Sequence, residues 1–206
     1  MRIGIIGAGY IGRSVAAAAV KAGHEVMVSN SRSPGTLFSL IGTIGCKAGT
    51  TAEAAAFGEL VLVAIPLHAH QSVPIAPLEG KIVLDASNYY SQRDGHIAEL
   101  DEEAITVSGL LARHLPKSRV VKAFNAIAAG DIEKDGLPRG SPTRRALPIA
   151  GDDLEAKRVV SEFFDQIGYD VVDAGSLSEE WRFQKDTPAY CVPFNRPEML
   201  AALAAA

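Results

Sequence analysis

Cysteine is scarce in this sequence of 206 residues, which contains only Cys46 and Cys191. A chain of this size with two widely separated cysteines is not a disulfide-built scaffold, and two reduced intracellular thiols are the expected state. Long apolar runs are also missing, because no stretch approaches the roughly 20 apolar residues that a membrane-spanning helix needs. Glycine interrupts the first apolar run at once, so the N-terminus does not resemble a signal peptide. We therefore expect a cytoplasmic protein with no membrane partner.

A surplus of positive charge is absent as well. The 20 Lys and Arg residues are outnumbered by 24 Asp and Glu residues, which gives a formal net charge of −4. Proteins that bind nucleic acids usually carry basic patches, so we expect no nucleic-acid partner. The five histidines show no convergent spacing with other ligands, which argues against a metal site. Hydrophobic residues make up 48% of the chain, enough for a folded core.

Short apolar segments alternate with helical segments along most of the chain. Strands are predicted over residues 2–6, 25–29, 46–48, 60–65, 81–85, 119–124, 144–149 and 169–173. Helices are predicted between them, including one over residues 68–76, whereas residues 89–103 are expected to be irregular apart from a helical turn near Ile97. Strands that are apolar throughout are typical of parallel sheets covered by helices on both faces. The pattern predicts an α/β fold with a doubly wound, mostly parallel sheet and a small C-terminal segment.

A glycine-rich loop follows the first predicted strand. Gly7, Gly9 and Gly12 form the pattern G-x-G-x-x-G, with Tyr10 and Ile11 between the last two glycines. On its own this pattern is weak evidence, because a strand–helix turn without a ligand can also be rich in glycine. Here it lies between a strand and a helix, which is the context that dinucleotide binding requires. The glycines allow a tight turn, a close approach of pyrophosphate and close helix packing, and free helix N–H groups face the anion.

The loop after the second strand favours one dinucleotide over the other. NAD sites usually place Asp or Glu in this loop, where the acid binds the ribose 2′-hydroxyl. Residues 29–33 contain no acid and include Asn30, Ser31 and Arg32. An arginine beside hydroxyl groups binds a 2′-phosphate through charge-assisted hydrogen bonds, whereas an acid would repel it. We therefore predict NADP(H) as the cofactor, and a solvated loop arginine is the alternative interpretation of Arg32.

Further candidate contacts follow three other strands, since ligands of open parallel sheets bind at the carboxyl ends of the strands. An Ile-Pro pair could support one face of a nicotinamide ring, and the carboxamide of Asn125 can both donate and accept hydrogen bonds. Asparagine is also a common turn former, and His68 could equally be a helix-surface residue. The candidate contacts at these strand ends are Ile65, Pro66, His68, Asn88, Ala123 and Asn125.

No catalytic acid or base is evident in the sequence. Alcohol oxidation or ketone reduction needs a proton partner near the reacting oxygen. Direct hydride exchange between two redox cofactors does not need one, because the protein mainly holds two rings in the right geometry. We therefore assign no catalytic residue.

Six segments give the chain a resemblance to a known family: residues 7–12, 30–32, 65–66, 121–125, 150–157 and 173–177. In these segments the sequence resembles the NADP oxidoreductases that depend on the deazaflavin coenzyme F420, and their bacterial relatives. It is also similar to the cytosolic reductase domain of the six-transmembrane metalloreductases, which carries a comparable Lys-x-Phe-Asn segment and uses a flavin.

The resemblance implies a Rossmann-type fold. Residues 1–150 would form the NADP-binding domain, and residues 151–206 would be a C-terminal extension of the same fold that completes a second-cofactor or substrate site. The nicotinamide would lie near Ile65, Pro66 and Asn125. Hydride would pass between nicotinamide C4 and a small-molecule redox acceptor, a flavin or deazaflavin stacked on it, in a homodimer.

One segment departs from the family pattern. In an ungapped alignment, Trp181 lies where archaeal-type members have an arginine that contacts the deazaflavin, and Arg182 is one position away. The neighbouring Glu179 and Glu180 would disfavour an acidic cofactor tail, so the use of F420 itself is not implied. Two alternatives stay open: a reductase of a small carbonyl or imine, and a non-enzymatic NADP(H)-binding sensor.

Overall fold

A single eight-stranded sheet runs through the computed structural model, which describes residues 1–206. Its order is β3-β2-β1-β4-β5-β6-β7-β8. The strands are β1 (Arg2–Ile6), β2 (Glu25–Ser29), β3 (Lys47–Ala48), β4 (Leu60–Val63), β5 (Ile82–Asp85), β6 (Arg119–Lys122), β7 (Ala146–Gly151) and β8 (Asp170–Asp173). The first six strands are parallel, and β7 is antiparallel to β6 but parallel to β8. The prediction of a doubly wound, mostly parallel sheet is confirmed.

Nine α-helices connect or follow the strands. They are α1 (Tyr10–Lys21), α2 (Phe38–Ile44), α3 (Thr51–Phe57), α4 (Ser91–Asp94), α5 (Ala98–Asp101), α6 (Val107–His114), α7 (Ala129–Ile132), α8 (Leu154–Gln166) and α9 (Arg196–Ala204). Short 3₁₀-helices cover Pro34–Leu37, Leu67–Ser72, Ala76–Leu78 and Leu177–Phe183. Every helix falls short of the length and apolar character that crossing a membrane requires.

Adjacent residues of β1 belong to two separate cores. Ile5 lies in a cluster that includes Phe163 of α8, whereas Ile6 lies in a different cluster with Leu111 of α6. Successive strand residues point to opposite faces of a sheet. Helices therefore cover both faces, and strands that are apolar throughout are stable only in such a sandwich.

The C-terminal residues pack against the end of the sheet that β7 and β8 form. Phe183, Met199 and Leu203 share a third apolar cluster with Ala146 of β7 and Val172 of β8. The 3₁₀-helix Leu177–Phe183 and α9 are thus attached to the same sheet that carries the glycine loop. The predicted boundary at residue 150 falls inside β7.

Two predictions of local structure were wrong. The helix predicted over residues 68–76 is the 3₁₀-helix Leu67–Ser72, because Pro74 and Pro77 lack the N–H groups that an α-helix needs. In the segment predicted to be irregular, α5 is the helical turn expected near Ile97, whereas α4 was not predicted. The Tyr89 hydroxyl stabilises these turns: its one proton is shared between Asp101 Oδ1 at 2.7 Å and the Gly95 carbonyl at 3.1 Å, and its oxygen accepts from the Ile97 N–H at 3.1 Å.

Candidate functional site

The glycine loop between β1 and α1 has no room for a side chain at either end, but it has room for one at Gly9 in its middle. Gly7 has φ +113°, and a Cβ there would lie 2.2 Å from the Ala64 carbonyl oxygen. A Cβ at Gly12 would lie 1.9 Å from the Gly7 carbonyl oxygen. At Gly9 a Cβ would meet no protein atom within 4 Å. The outer glycines are therefore required by the fold, while Gly9 borders open space that a ligand can approach.

The N-terminus of α1 presents free donors at this loop. No side chain caps the helix, and its first hydrogen bond runs from the Arg13 N–H to the Gly9 carbonyl at 3.0 Å. The preceding N–H groups, including those of Tyr10 and Ile11, have no helical partner. The Tyr10 side chain is 87% exposed and leaves these groups uncovered. Free N–H groups and the helix dipole together make this end of the helix an anion site.

The loop after β2 is organised by Asn30. Its side-chain oxygen accepts from the Arg32 N–H at 2.9 Å, and its amide donates to Thr36 Oγ1 at 2.8 Å. Asn30 therefore acts mainly as a turn former, the alternative that the sequence left open for asparagines. The exposed side chains of Ser31 and Arg32 form no hydrogen bond or ion pair within the chain, so both are available to a ligand.

Two apolar residues, Ile65 and Pro66, follow β4 and are followed in turn by His68, which contacts Asp94. Ile65 is half-buried, whereas Pro66 and His68 are exposed. His68 Nδ1 lies 3.1 Å from Oδ1 of Asp94, and the Asp94 side chain is fully buried. Burial alone would raise the pKa of Asp94. Hydrogen bonds from Arg93, from the Tyr90 N–H and from His68 outweigh burial and lower this pKa to about 2.

Asn88 and Asn125 meet across the carboxyl ends of β5 and β6. The Asn88 amide donates to the Asn125 backbone carbonyl at 3.0 Å, and the Asn125 amide donates to the Phe183 carbonyl at 3.0 Å. The side-chain oxygen of Asn125 is buried and has no hydrogen-bond partner. A buried acceptor without a partner is costly, so it marks a place where a ligand N–H would be stabilising.

The turn that presents Asn125 is conformationally strained. Phe124 has φ +64°, a left-handed conformation that bulky side chains rarely adopt. Its ring is buried and stacks on Phe164 with centroids 4.4 Å apart, which anchors the turn. The preceding Ala123 is fully buried and its N–H donates to the Asp85 carbonyl, so neither its side chain nor its N–H is accessible to a ligand.

A buried cluster of charges lies directly beneath these two asparagines. The strand register pairs Asp85 with Lys122, whose Nζ lies 3.7 Å from Asp85 Oδ2 and 3.7 Å from Glu180 Oε2. Lys122 donates to the Ser87 carbonyl at 2.6 Å. Ser108 donates to both acids, through Oγ to Asp85 at 2.6 Å and through its N–H to Glu180 at 2.8 Å. The cluster attaches the 3₁₀-helix Leu177–Phe183 to the ends of β5 and β6.

This cluster corrects the interpretation of the two glutamates near Trp181. Glu180 is 1% exposed and belongs to the interior, so it does not present a surface charge to a cofactor tail. Glu179 is half-buried, and its Oε2 pairs with Arg182 Nε at 3.0 Å. Lys122, which directly follows the apolar residues Val120 and Val121 of a predicted strand, was the available signal, because a buried lysine needs an acidic partner.

Two tyrosines that the sequence did not single out complete this region. Tyr90 follows the β5 loop, Tyr190 lies in the C-terminal segment, and their hydroxyl oxygens are 2.8 Å apart. The Asn88 amide lies 3.5 Å from the Tyr190 hydroxyl. No local pattern could have revealed this contact, because 100 residues separate the two tyrosines.

The glycine loop, the β2 loop and the ends of β4 and β5 all lie within one family match. The family model described as NADP oxidoreductase, coenzyme F420-dependent, matches residues 2–89. This part of the chain therefore resembles the family. The match supports NADP(H) as the cofactor, and the predicted resemblance is confirmed.

Among curated proteins, the metalloreductase STEAP3 of Rattus norvegicus is 33% identical to this chain over 179 residues. The match covers 86% of this chain and 34% of STEAP3. The chain therefore spans about a third of the length of this relative.

Two solved structures resemble the chain over most of its length. A hypothetical protein from Sinorhizobium meliloti superposes with a TM-score of 0.81 at 27% identity and covers 95% of both chains. A proposed F420-dependent NADP-reductase from Arthrobacter sp. FB24 superposes with a TM-score of 0.72 at 25% identity and covers 85% of both chains.

Proposed function

We propose that this protein is an NADP(H)-dependent oxidoreductase that transfers hydride between NADP(H) and a flavin-like or deazaflavin-like acceptor. The observation that carries the proposal is the glycine loop, in which uncapped N–H groups of α1 face open space above Gly9. A pyrophosphate held there would place the rest of the dinucleotide along the carboxyl ends of the strands. The family match over residues 2–89 and the similarity to a metalloreductase agree with this chemistry.

The loop after β2 would select NADP(H) over NAD(H). Ser31 and Arg32 are exposed and unpaired, and the loop contains no acid that would repel a phosphate. A guanidinium with neighbouring hydroxyl groups is suited to bidentate binding of a 2′-phosphate. Asn30 would contribute indirectly, by holding the backbone of Arg32 in place.

The nicotinamide would lie between the ends of β4 and β6. Ile65 and Pro66 offer an apolar surface for one face of the ring, and the unpartnered oxygen of Asn125 would accept from the carboxamide N–H. NADPH supplies a hydride from its nicotinamide C4 when bound. The side chains of Asn88 and Asn125 would fix the ring, and the segment from Phe183 to Tyr190 would border the acceptor.

We also propose that the protein works as a cytoplasmic homodimer. Both cysteines are free thiols, in keeping with a reducing compartment. The large apolar side chain of Phe38 is exposed, and a second subunit could cover it. Light scattering is expected to give about twice the monomer mass of 21.7 kDa, and a monomer would contradict the proposed dimer.

The acceptor is tested by following NADPH oxidation in the presence of riboflavin, a 5-deazaflavin, and a panel of small ketones and cyclic imines. Turnover with the isoalloxazine or deazaflavin compounds is expected. Turnover with ketones or imines alone would replace the proposed acceptor class by small carbonyl or imine substrates. NADPH binding without turnover on any of them would instead support a sensor.

A further inference from the structure

The Tyr90–Tyr190 pair joins two distant parts of the chain at the proposed acceptor site. Tyr90 follows Asn88 by two residues, and Tyr190 belongs to the C-terminal segment that also supplies the Phe183 carbonyl to Asn125. Both tyrosines are half-buried, so they are partly shielded from solvent but remain partly accessible. The pair is therefore next to the two asparagines on which the nicotinamide placement rests.

The hydrogen bonds of this pair leave one hydroxyl proton unused. The orientation of the Asn88 amide is fixed, because its nitrogen donates to a backbone carbonyl, which can only accept. Its remaining N–H points to the Tyr190 oxygen, so Tyr190 accepts there. Two phenols carry two protons, and the contact of 2.8 Å between them uses one. The second proton has no oxygen or nitrogen acceptor within the chain, whichever hydroxyl donates to the other. The Cys191 thiol also interacts with the Tyr190 hydroxyl, but sulfur is only a weak acceptor.

The Tyr190 hydroxyl keeps its proton across the physiological pH range. Burial, and then the hydrogen bond with Tyr90, raise the pKa of Tyr190 well above its usual range. Tyr190 is thus a neutral hydroxyl that does not ionise. A neutral donor of this kind stabilises negative charge that forms on a neighbouring oxygen or nitrogen.

We propose that the Tyr90–Tyr190 pair donates a hydrogen bond to the acceptor, at the heteroatom that becomes negative when hydride arrives. This inference rests on the proposed function, and it names the residues that stabilise the charge. Transfer from NADPH adds two electrons and one hydrogen nucleus to a neutral acceptor, and one proton from solvent completes the reduction. A ring carbonyl, a ring nitrogen, a ketone or an imine would each offer the required atom. The acceptor is thus a neutral molecule with a conjugated oxygen or nitrogen.

The experiment compares Tyr90→Phe, Tyr190→Phe, the double variant and the matched control Tyr89→Phe. Tyr89 is the neighbouring tyrosine, but its hydroxyl binds Gly95 and Asp101 within its own loop. For each protein, NADPH affinity is measured by titration, and kcat and KM are measured with riboflavin. A second acceptor, the N-methylphenazinium cation, becomes neutral on receiving hydride, so it needs no such donor. Its rate without enzyme is subtracted.

The double variant is expected to lose about 10²-fold in kcat with riboflavin, because it lacks the donor in either orientation. NADPH affinity, and the rate with N-methylphenazinium, should stay within about twofold of the unchanged protein, as should every value for Tyr89→Phe. At least one single variant should show a loss of about tenfold, which keeps the test decisive even if the double variant does not fold.

Three outcomes would overturn the proposal in distinguishable ways. Unchanged kcat with riboflavin in both single variants would remove the role of the pair while leaving the hydride transfer intact. An equal loss with both acceptors would show that the tyrosines only maintain the fold of the site. Failure of the unchanged protein to oxidise NADPH with either acceptor would overturn the proposed function and this inference with it.

Discussion

The glycine loop and the acceptor region of this protein are built in opposite ways. The loop consists of six consecutive residues, and it works through backbone N–H groups and missing side chains. The acceptor region consists of side chains from three distant segments, around Asn88, Asn125 and Tyr190, joined by hydrogen bonds. The comparison teaches that the dinucleotide end is specified locally, whereas the acceptor end exists only once the whole chain has folded.

The two regions also differ in the interactions that stabilise them. The loop is stabilised by close backbone packing and leaves its donors free for a ligand. The acceptor region rests on the buried cluster of Asp85, Lys122 and Glu180. Removal of one partner of a buried ion pair is strongly destabilising, since the remaining charges lose their compensation. Substitutions should therefore separate the regions by their effects on stability and on cofactor affinity.

The largest effect is expected from Lys122→Met. The substitution leaves the carboxylates of Asp85 and Glu180 buried without a counter-charge, so the free energy of unfolding should fall by about 3–5 kcal/mol. Denaturant unfolding measures this loss. Lys185→Met is the control, since Lys185 pairs with Asp186 at an exposed site, and it should cost less than about 1 kcal/mol. Similar losses in the two variants would contradict the account of the buried cluster.

The next largest effect is expected from a comparison of alanine substitutions at two glycines of the same loop, Gly12 and Gly9. Gly12→Ala brings a Cβ against the Gly7 carbonyl and should lower the free energy of unfolding by about 3 kcal/mol. Gly9→Ala meets no protein atom and should cost less than about 1 kcal/mol, yet weaken NADPH binding at least tenfold. Thermal unfolding and NADPH titration of both variants check this. Wild-type NADPH affinity in Gly9→Ala would contradict the placement of the pyrophosphate.

A smaller effect concerns the pH dependence of stability at Asp94, which ties the segment after β4 to α4. The folded-state pKa of about 2 lies below its ordinary value of 3.8, so the carboxylate stabilises the fold above pH 4. This contribution, about 2 kcal/mol, should be lost as the pH falls from 4 towards 2. The free energy of unfolding, measured against pH, should show a shallower acid loss in Asp94→Asn. Parallel curves for the two proteins would mean that Asp94 is not held by these bonds.

The fold was predictable because its signals are local. Short apolar strands, and the glycines between β1 and α1, each depend on neighbours in sequence, and together they gave the doubly wound sheet. The 3₁₀-helix Leu67–Ser72 was not predicted as such, although Pro74 and Pro77 carried the signal. In residues 89–103 the turn near Ile97 was predicted, whereas α4 was not, because its contacts with the hydroxyl of Tyr89 leave no apolar periodicity in the sequence.

The candidate site was predictable only in part, for the same reason. The cofactor contacts in the glycine loop and at Arg32 follow from residue types at fixed spacings. The burial of Glu180 and the contact of Tyr90 with Tyr190 follow from tertiary packing, which no sequence spacing encodes. Even Phe124, with its left-handed conformation, gave no sign in the sequence, since glycine is the residue that usually occupies such a position.

The central claim, that this protein binds NADP(H) through the glycine loop and Arg32, is tested most directly by calorimetric titration. NADPH and NADH are titrated into the unchanged protein, into Arg32→Ala and into Arg139→Ala, a control at another exposed arginine. The account predicts that NADPH binds at least tenfold more tightly than NADH, and that only Arg32→Ala removes this preference, since a charge-assisted hydrogen bond contributes about 1.5–3 kcal/mol. Equal affinity for the two dinucleotides, unchanged in Arg32→Ala, would contradict it.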